Sequence, residues 1–266
     1  MLKYFGSPDQ QLLQKKSEAL MRSLKDDPRV CSHGRGVNVT AYDEDAADLT
    51  ADIAAVIGVS ACEAVPKHLV PEFVLRLEAR GMTTDVIGLF TGGLDAVEKC
   101  REALARRSLP DDLTVRIIDR DAPDDWLLAY AEVAEPHGVL PPAAAFMRGI
   151  AKPGFAMVAF DRGGKPVACA GSIKNTHPDS VYPDQAQWGQ LATDPSRQGE
   201  GIARALGAMA LIESHERLGA NRFKTGIRKG NEPSIRLCTS LGVTDSGSYI
   251  VAAMDPLVFP GEKLTK

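Results

Sequence analysis

Asp194-Pro195-Ser196-Arg197-Gln198-Gly199-Glu200-Gly201-Ile202-Ala203-Arg204 is the stretch whose reading decides the fold. An extended run over 187–193 leads into it. A helical pattern over 201–218 leads out, with Ile202, Leu206, Met209 and Ile212 near helical spacing. Glycines at 199 and 201 let backbone N–H groups approach a ligand closely. The helix that follows presents unpaired N–H groups and the positive end of its dipole, which together favour an anion such as a pyrophosphate. Arg197 and Arg204 add the option of charge-assisted contacts. These features call for a phosphate-bearing ligand without naming it.

Two familiar phosphate loops fail against the letters. A nucleoside-triphosphate loop ends in Gly-Lys-Ser/Thr, whereas Gly201 is followed by Ile202. A dinucleotide fingerprint counted from Gly199 ends on Arg204 instead of Gly or Ala, and it lies late in the chain rather than in the first strand–helix unit.

Outward from the loop, a polar, proline-containing turn at 108–112 divides the chain into 1–110 and 111–266. Before it, periodicity predicts helices over 10–24, 43–57, 72–80 and 95–107 and strands over 36–42 and 85–90. This half alternates strands and helices as an α/β unit and carries no chemical motif. After the turn the order is a strand (113–118), two helices (123–135, 142–150), then a hairpin (155–160, 166–172) around Asp161-Arg162-Gly163-Gly164-Lys165. A strand (187–193), the long helix (201–218), a strand (222–228), a helix opened by proline (233–241) and a closing strand (248–254) complete it.

Gln198-Gly199-Glu200-Gly201-Ile202-Ala203 satisfies every specified position of Gln/Arg-x-x-Gly-x-Gly/Ala, and the region 113–258 resembles the GNAT superfamily of N-acetyltransferases. That family places the pattern between its fourth strand and third helix, commonly after Val-x-Pro, and here Thr193-Asp194-Pro195 stands there. Downstream, 231–243 (Asn-Glu-Pro-Ser-Ile-Arg-Leu-Cys-Thr-Ser-Leu-Gly-Val) has the layout of the family's Asn…Tyr…Leu-Gly-Phe segment. Cys238 takes the usual tyrosine position and Val243 the usual phenylalanine. The resemblance implies an α+β fold: a mixed, mostly antiparallel sheet flanked by helices, with 1–110 as an accessory α/β half. Leu69–Gly81 followed by a strand is similar to the degenerate, motif-free half of some tandem members.

The resemblance further implies acetyl-CoA as acyl donor and an amine of a small molecule or peptide as acceptor. Carried over by position, the backbone of Leu191 and Thr193 holds the pantetheine arm. Gln198, Gly199, Glu200, Gly201, Ile202 and Ala203 hold the pyrophosphate, and Asn231, with Ser234, approaches the pantetheine. The family's acid stands at position 238, where cysteine is a shorter group of lower reference pKa; Tyr249 on the last strand is the alternative. Each also reads simply as a core or sheet residue. For the base, Glu132, His137, His177 and Asp179 are within range on loops, and the reaction calls for direct transfer with weak or water-mediated base assistance. A loop containing His177, Asp179, Tyr182 and Asp184 has the mildly acidic character that suits a cationic amine.

Bulk properties narrow the classes. The chain has 266 residues, 44% hydrophobic and 25% charged, with a net charge of −4. It lacks the basic stripe of a nucleic-acid binder, and the basic run at 101–107 mixes in an acid and alanines, as a solvated helix face does. Five cysteines without a Cys-x-x-Cys pair suit reduced thiols, and five dispersed histidines give no zinc spacing, so no metal is expected. The N-terminal stretch has no apolar signal core and no run reaches membrane-spanning length, so a cytoplasmic protein is expected. Monomer and homodimer stay open. The competing function is a non-catalytic acyl-CoA-binding or regulatory module, favoured by Cys238 and by the absence of a carboxylate on the fourth strand.

Overall fold

The computed structural model describes residues 3–259. Met1 and Leu2, which open the stretch read for targeting, lie outside the described residues. One ten-stranded sheet runs through the molecule in the order β1-β2-β3-β10-β4-β9-β8-β7-β6-β5. The strands are β1 (Val30–Cys31), β2 (Asn38–Val39), β3 (Val59–Pro66), β4 (Thr83–Gly92), β5 (Thr114–Ile118), β6 (Gly154–Phe160), β7 (Pro166–Ile173), β8 (Gln185–Thr193), β9 (Arg222–Ile227) and β10 (Thr244–Met254). The helices are α1 (Pro8–Ser23), α2 (Ala46–Ile57), α3 (Val70–Glu78), α4 (Leu94–Arg106), α5 (Asp124–Ala134), α6 (Ala144–Met147), α7 (Ile202–Leu218) and α8 (Glu232–Ser240). The fold is therefore the expected mixed, mostly antiparallel sheet flanked by helices; only β2–β3 and β8–β9 pair in parallel.

Strand alternation builds two layers of core across the sheet. On β6, Phe155, Met157 and Ala159 enter a cluster with Ile202, Leu206 and Leu211 of α7 and Val97 and Cys100 of α4. Ala156 and Val158 point the other way, to Leu127, Tyr130 and Val133 of α5. A third cluster joins Ile53 and Ile57 of α2 and Phe73 and Leu77 of α3 to Val251 and Ala253 of β10. α7 is buried almost all round because α4 covers the side turned away from the sheet.

The middle of the sheet interlocks segments distant in sequence. β4 lies between β9 and β10, and β10 lies between β3 and β4. The loop-proximal half of the chain thus borrows a strand from residues 83–92, and its own closing strand completes the other half.

Three expectations change in detail. β3, an eight-residue buried strand, was not anticipated, because only Gly58 separates it from α2 and its apolar run carries no turn signal. The strand expected over 36–42 contracts to Asn38–Val39, whose parallel ladder to β3 has the single partner pair Val39↔Cys62. The helix expected over 142–150 is four residues long and ends before Gly149, which is left-handed at φ 66°.

Candidate functional site

β8 and β9 are paired only at 185↔222, 186↔223 and 187↔224, and diverge beyond them. From 188 to 193 the edge of β8 that faces β9 is free of ladder bonds, so the Leu191 and Thr193 backbones border an open wedge. Within this stretch β8 carries a bulge opposite Ala170: Gly189 has φ 122° and Gln190 φ 54°, a left-handed conformation that costs a non-glycine residue energy. Tyr130 Oη of α5 donates to Gln190 Oε1 at 2.8 Å, which holds the side chain and leaves its Nε2 as a buried donor with no partner.

At the end of β8, Asp194 accepts from Ser196 N (2.8 Å), Ser196 Oγ (2.6 Å) and Lys165 Nζ (2.5 Å). The lysine contact and the two serine bonds hold its carboxyl well below the usual carboxylate range. The turn then passes Gly199 (φ 83°) and Gly201 (φ 84°) into α7. Gly201 is the N-cap and no side chain caps the helix, so its first N–H groups are open to a ligand. Arg197 is not available to a phosphate as the sequence suggested. It pairs with Glu200 (2.7 Å) and Asp112 (3.0 Å), fastening the turn to the residues before β5. Glu200 accordingly commits its carboxylate to Arg197 and retains only its backbone for a ligand. Arg107, read from sequence as part of a solvated face, packs against Gly201, where a Cβ would meet its guanidinium carbon at 3.2 Å. Arg107 and Arg204 have no ion pair among the described residues and are the cations beside the loop.

The wedge opens into a cavity of about 330 Å³. Leu191, Asn231, Ser234 and Cys238 line one part. Asn231 Oδ1 also accepts from Ser234 N at 3.3 Å and so caps α8. Cys238 is buried, and that burial pushes its thiol up to about 12. Tyr249 packs against the cluster of α2 and α3 and is not among the cavity-lining residues, nor is Thr193. Among the four base candidates, His137 lines the cavity, and Glu132, His177 and Asp179 do not. His137 Nδ1 lies 2.8 Å from the Val133 carbonyl, an acceptor only, so Nδ1–H donates to it and Nε2 is the nitrogen left for a ligand. The acidic loop of His177, Asp179, Tyr182 and Asp184 does not line the cavity either.

The far part of the cavity belongs to a region where the sequence offered no motif. His33, Arg35 and Asn38 come from the β1–β2 segment, and Ser60 and Glu63 from β3. Glu63 accepts from Asn38 Nδ2 at 2.8 Å and forms a buried ion pair with Lys224 of β9. Burial disfavours the Glu63 charge, but Lys224, with lesser help from its other neighbours, outweighs this and holds the carboxyl well below its usual range. No spacing rule could have found this set, because the residues meet only through the shared sheet.

Among the described residues, no group of three or more His, Cys, Asp or Glu side chains is placed to hold a metal ion, and no helix is long and apolar enough to cross a membrane.

Residues 120–243 match the model of the acetyltransferase (GNAT) family. Among solved structures, the chain is similar to a GCN5-related N-acetyltransferase from Kribbella flavida (15% identity, TM-score 0.58), over 92% of this chain and 96% of that one. A tandem GNAT protein from the clavulanic acid biosynthesis pathway matches at 13% identity and TM-score 0.54, over 85% of this chain and 76% of that one. A GCN5-related N-acetyltransferase-like protein from Streptococcus suis matches at 13% identity and TM-score 0.51, over 82% and 79%. At such identities the likeness is one of fold. No curated protein matches the sequence.

Proposed function

We propose that the protein is an acetyl-CoA-dependent N-acetyltransferase acting on an amine, in the cytoplasm, with residues 1–110 as an accessory, degenerate acetyltransferase-like half and 111–266 as the transferase domain. The observation that carries this reading is the cavity, which is lined both by the β8–β9 wedge and by the polar residues of the β1–β2 segment and β3, as a site for a donor arm and an acceptor requires. The site fits the donor: two left-handed glycines, an uncapped helix and two unpaired arginines suit a pyrophosphate, and the free edge of β8 suits a pantetheine amide.

When bound, acetyl-CoA supplies a thioester acyl group that passes to the amine as the thiol leaves. The backbone of Leu191 and Thr193 would hold the arm, with Asn231 and Ser234 opposite, and the loop residues Gln198, Gly199, Glu200, Gly201, Ile202 and Ala203 would hold the phosphates through main-chain N–H groups. An N–H group on the bulged stretch of β8 would meet the developing oxyanion. His137 Nε2 is the base in this reading, taking the amine proton directly or through one water. Cys238 and Tyr249 are the proposed acids, and the cavity favours Cys238. Its thiol stays protonated but is a weak acid, so direct departure of the thiolate and the holding of both reactants contribute most.

Calorimetric titration with acetyl-CoA, followed by thiol release on an amine panel, tests the proposal. Binding in the micromolar range with amine-dependent thiol release is expected. Absence of binding overturns the donor assignment. Binding without turnover of any amine favours the non-catalytic acyl-CoA-binding module.

A further inference from the structure

The distal end of the cavity is lined by buried donors that the protein leaves unsatisfied. Three buried side-chain atoms of residues that line the cavity have no partner: His33 Nδ1 and Arg35 Nε from the β1–β2 segment and Gln190 Nε2 from the β8 bulge. All three are N–H groups. Gln190 Nε2 is identified by the Tyr130 bond to Oε1. Asn38 Nδ2 donates to the Glu63 carboxylate, so the same nitrogen, 3.3 Å from His33 Nε2, donates there too, and the His33 proton resides on Nδ1.

Charge points the same way as hydrogen bonding. The nearby carboxylate, Glu63, is already neutralised by Lys224. Arg35 has no ion pair among the described residues, so the cluster retains one uncompensated positive charge. Burial keeps His33 neutral, holding it down at about 4, with the Arg35 charge adding to the effect. Leaving a guanidinium nitrogen and two further donors buried without acceptors is costly unless a ligand supplies them.

The segment that carries these groups is fixed in place. Ser32 Oγ donates to Gly36 O at 2.7 Å, Ala143 N donates to Gly34 O at 2.8 Å, and Ser60 Oγ donates to Val37 O at 2.8 Å. Gly34 is left-handed (φ 80°) and lies against the Phe146 ring, where a Cβ would come within 2.8 Å. The donors are therefore preorganised.

We propose that this end of the cavity binds an anionic group, carboxylate or phosphate, on the acceptor amine, with Arg35 as its counter-ion and His33 Nδ1 and Gln190 Nε2 as neutral donors. The acceptor class is then a small amine that also bears an anion, the anion in the polar end and the amine toward β8 and His137. This rests on the acetyltransferase reading above.

The test pairs amines that differ by the anion: β-alanine with propylamine, 4-aminobutyrate with butylamine, and phosphoethanolamine with ethanolamine. Each is assayed by thiol release with acetyl-CoA and by calorimetry on the full chain, free and saturated with CoA. The expected result is that at least one anionic member exceeds its neutral partner about 100-fold in kcat/KM, or binds where the partner does not. Arg35→Ala abolishes that advantage and Arg35→Lys restores part of it, while the thermal shift with CoA is unchanged in both variants. The carboxylate and phosphate arms identify which anion is preferred. If CoA binds and no anionic member is bound or preferred, or if Arg35→Ala lowers both members of a pair equally, the inference is overturned and the acetyltransferase reading stands. If CoA itself does not bind, the acetyltransferase reading falls and this inference with it.

Discussion

Glu63 and Lys224, separated by 161 residues in the chain, form a buried ion pair that bridges β3 and β9 across the two strands lying between them. Each is almost completely shielded from solvent. The pair ties β3 to β9, the strand that borders the wedge. Glu63→Ala is expected to destabilise the fold by about 3–5 kcal/mol, because it leaves Lys224 buried and uncompensated. The double replacement Glu63→Met with Lys224→Met should recover much of that loss. Urea unfolding of the three variants measures it. Because the folded pKa of Glu63 is depressed, its contribution is present above the unfolded carboxylate value of about 4.3 and is lost as pH falls below it toward the lowered folded value. The Glu63→Met, Lys224→Met protein should accordingly lose less stability than the natural chain between pH 5 and pH 3, pH values set roughly by that unfolded pKa.

His137 lines the cavity, and its Nδ1 is engaged by the Val133 carbonyl at 2.8 Å. His137→Ala is expected to lower kcat by about 100-fold at pH 7.5, a value chosen roughly within the range where general bases of this kind operate. Acetyl-CoA affinity should stay unchanged, and added imidazole should return part of the rate. Unaltered kcat in this variant would remove His137 as the base.

Gly199 and Gly201 both hold left-handed backbone angles, and Gly201 additionally has Arg107 against it. Gly201→Ala should weaken CoA binding by roughly tenfold or more and cost about 1–2 kcal/mol of stability. Gly199→Ala meets open space, so its cost should be the backbone strain alone. Calorimetry with CoA and with dephospho-CoA on both variants checks the order.

All five thiols are buried and free. Burial raises each of them, with Cys62, Cys100, Cys169 and Cys238 pushed up to about 12. An aromatic disulfide reagent at neutral pH should therefore modify the native chain at least about 100-fold more slowly than the unfolded one, since the thiolate is the reacting form. The same property gives a low background for thiol-release assays. In that assay, Cys238→Ala and Tyr249→Phe decide the acid: if both retain full turnover, neither residue protonates the leaving thiolate.

The legible and illegible parts of the chain differ in how local their signals are. The 113–258 region was readable element by element because hairpin turns, the Asp194-Pro195 turn and the Asn231 cap are written in adjacent residues. β3 was missed because a fully buried strand has no alternation and Gly58 is its only boundary. Arg197, read as a possible phosphate contact, is paired with Glu200 three residues on, which adjacent letters could have shown, and with Asp112, which lies 85 residues away and was not legible. Arg107 is exposed, as a solvated helix face requires, but its place beside Gly201 was not legible because the two are 94 residues apart in the chain.

The sequence by itself determined the proposed donor side: a glycine-rich turn between strand and helix, its proline lead-in and the segment from Asn231 to Gly242 all act through neighbours a few residues apart. Only the tertiary structure brought together the proposed acceptor side. His33, Arg35, Asn38 and Glu63 acquire their chemistry from burial beside β8 and β9, and that burial exists because β4 and β10 cross between the two halves of the sheet. Local letters encode backbone conformation; the desolvation and pairing of a charge depend on which distant strand closes over it.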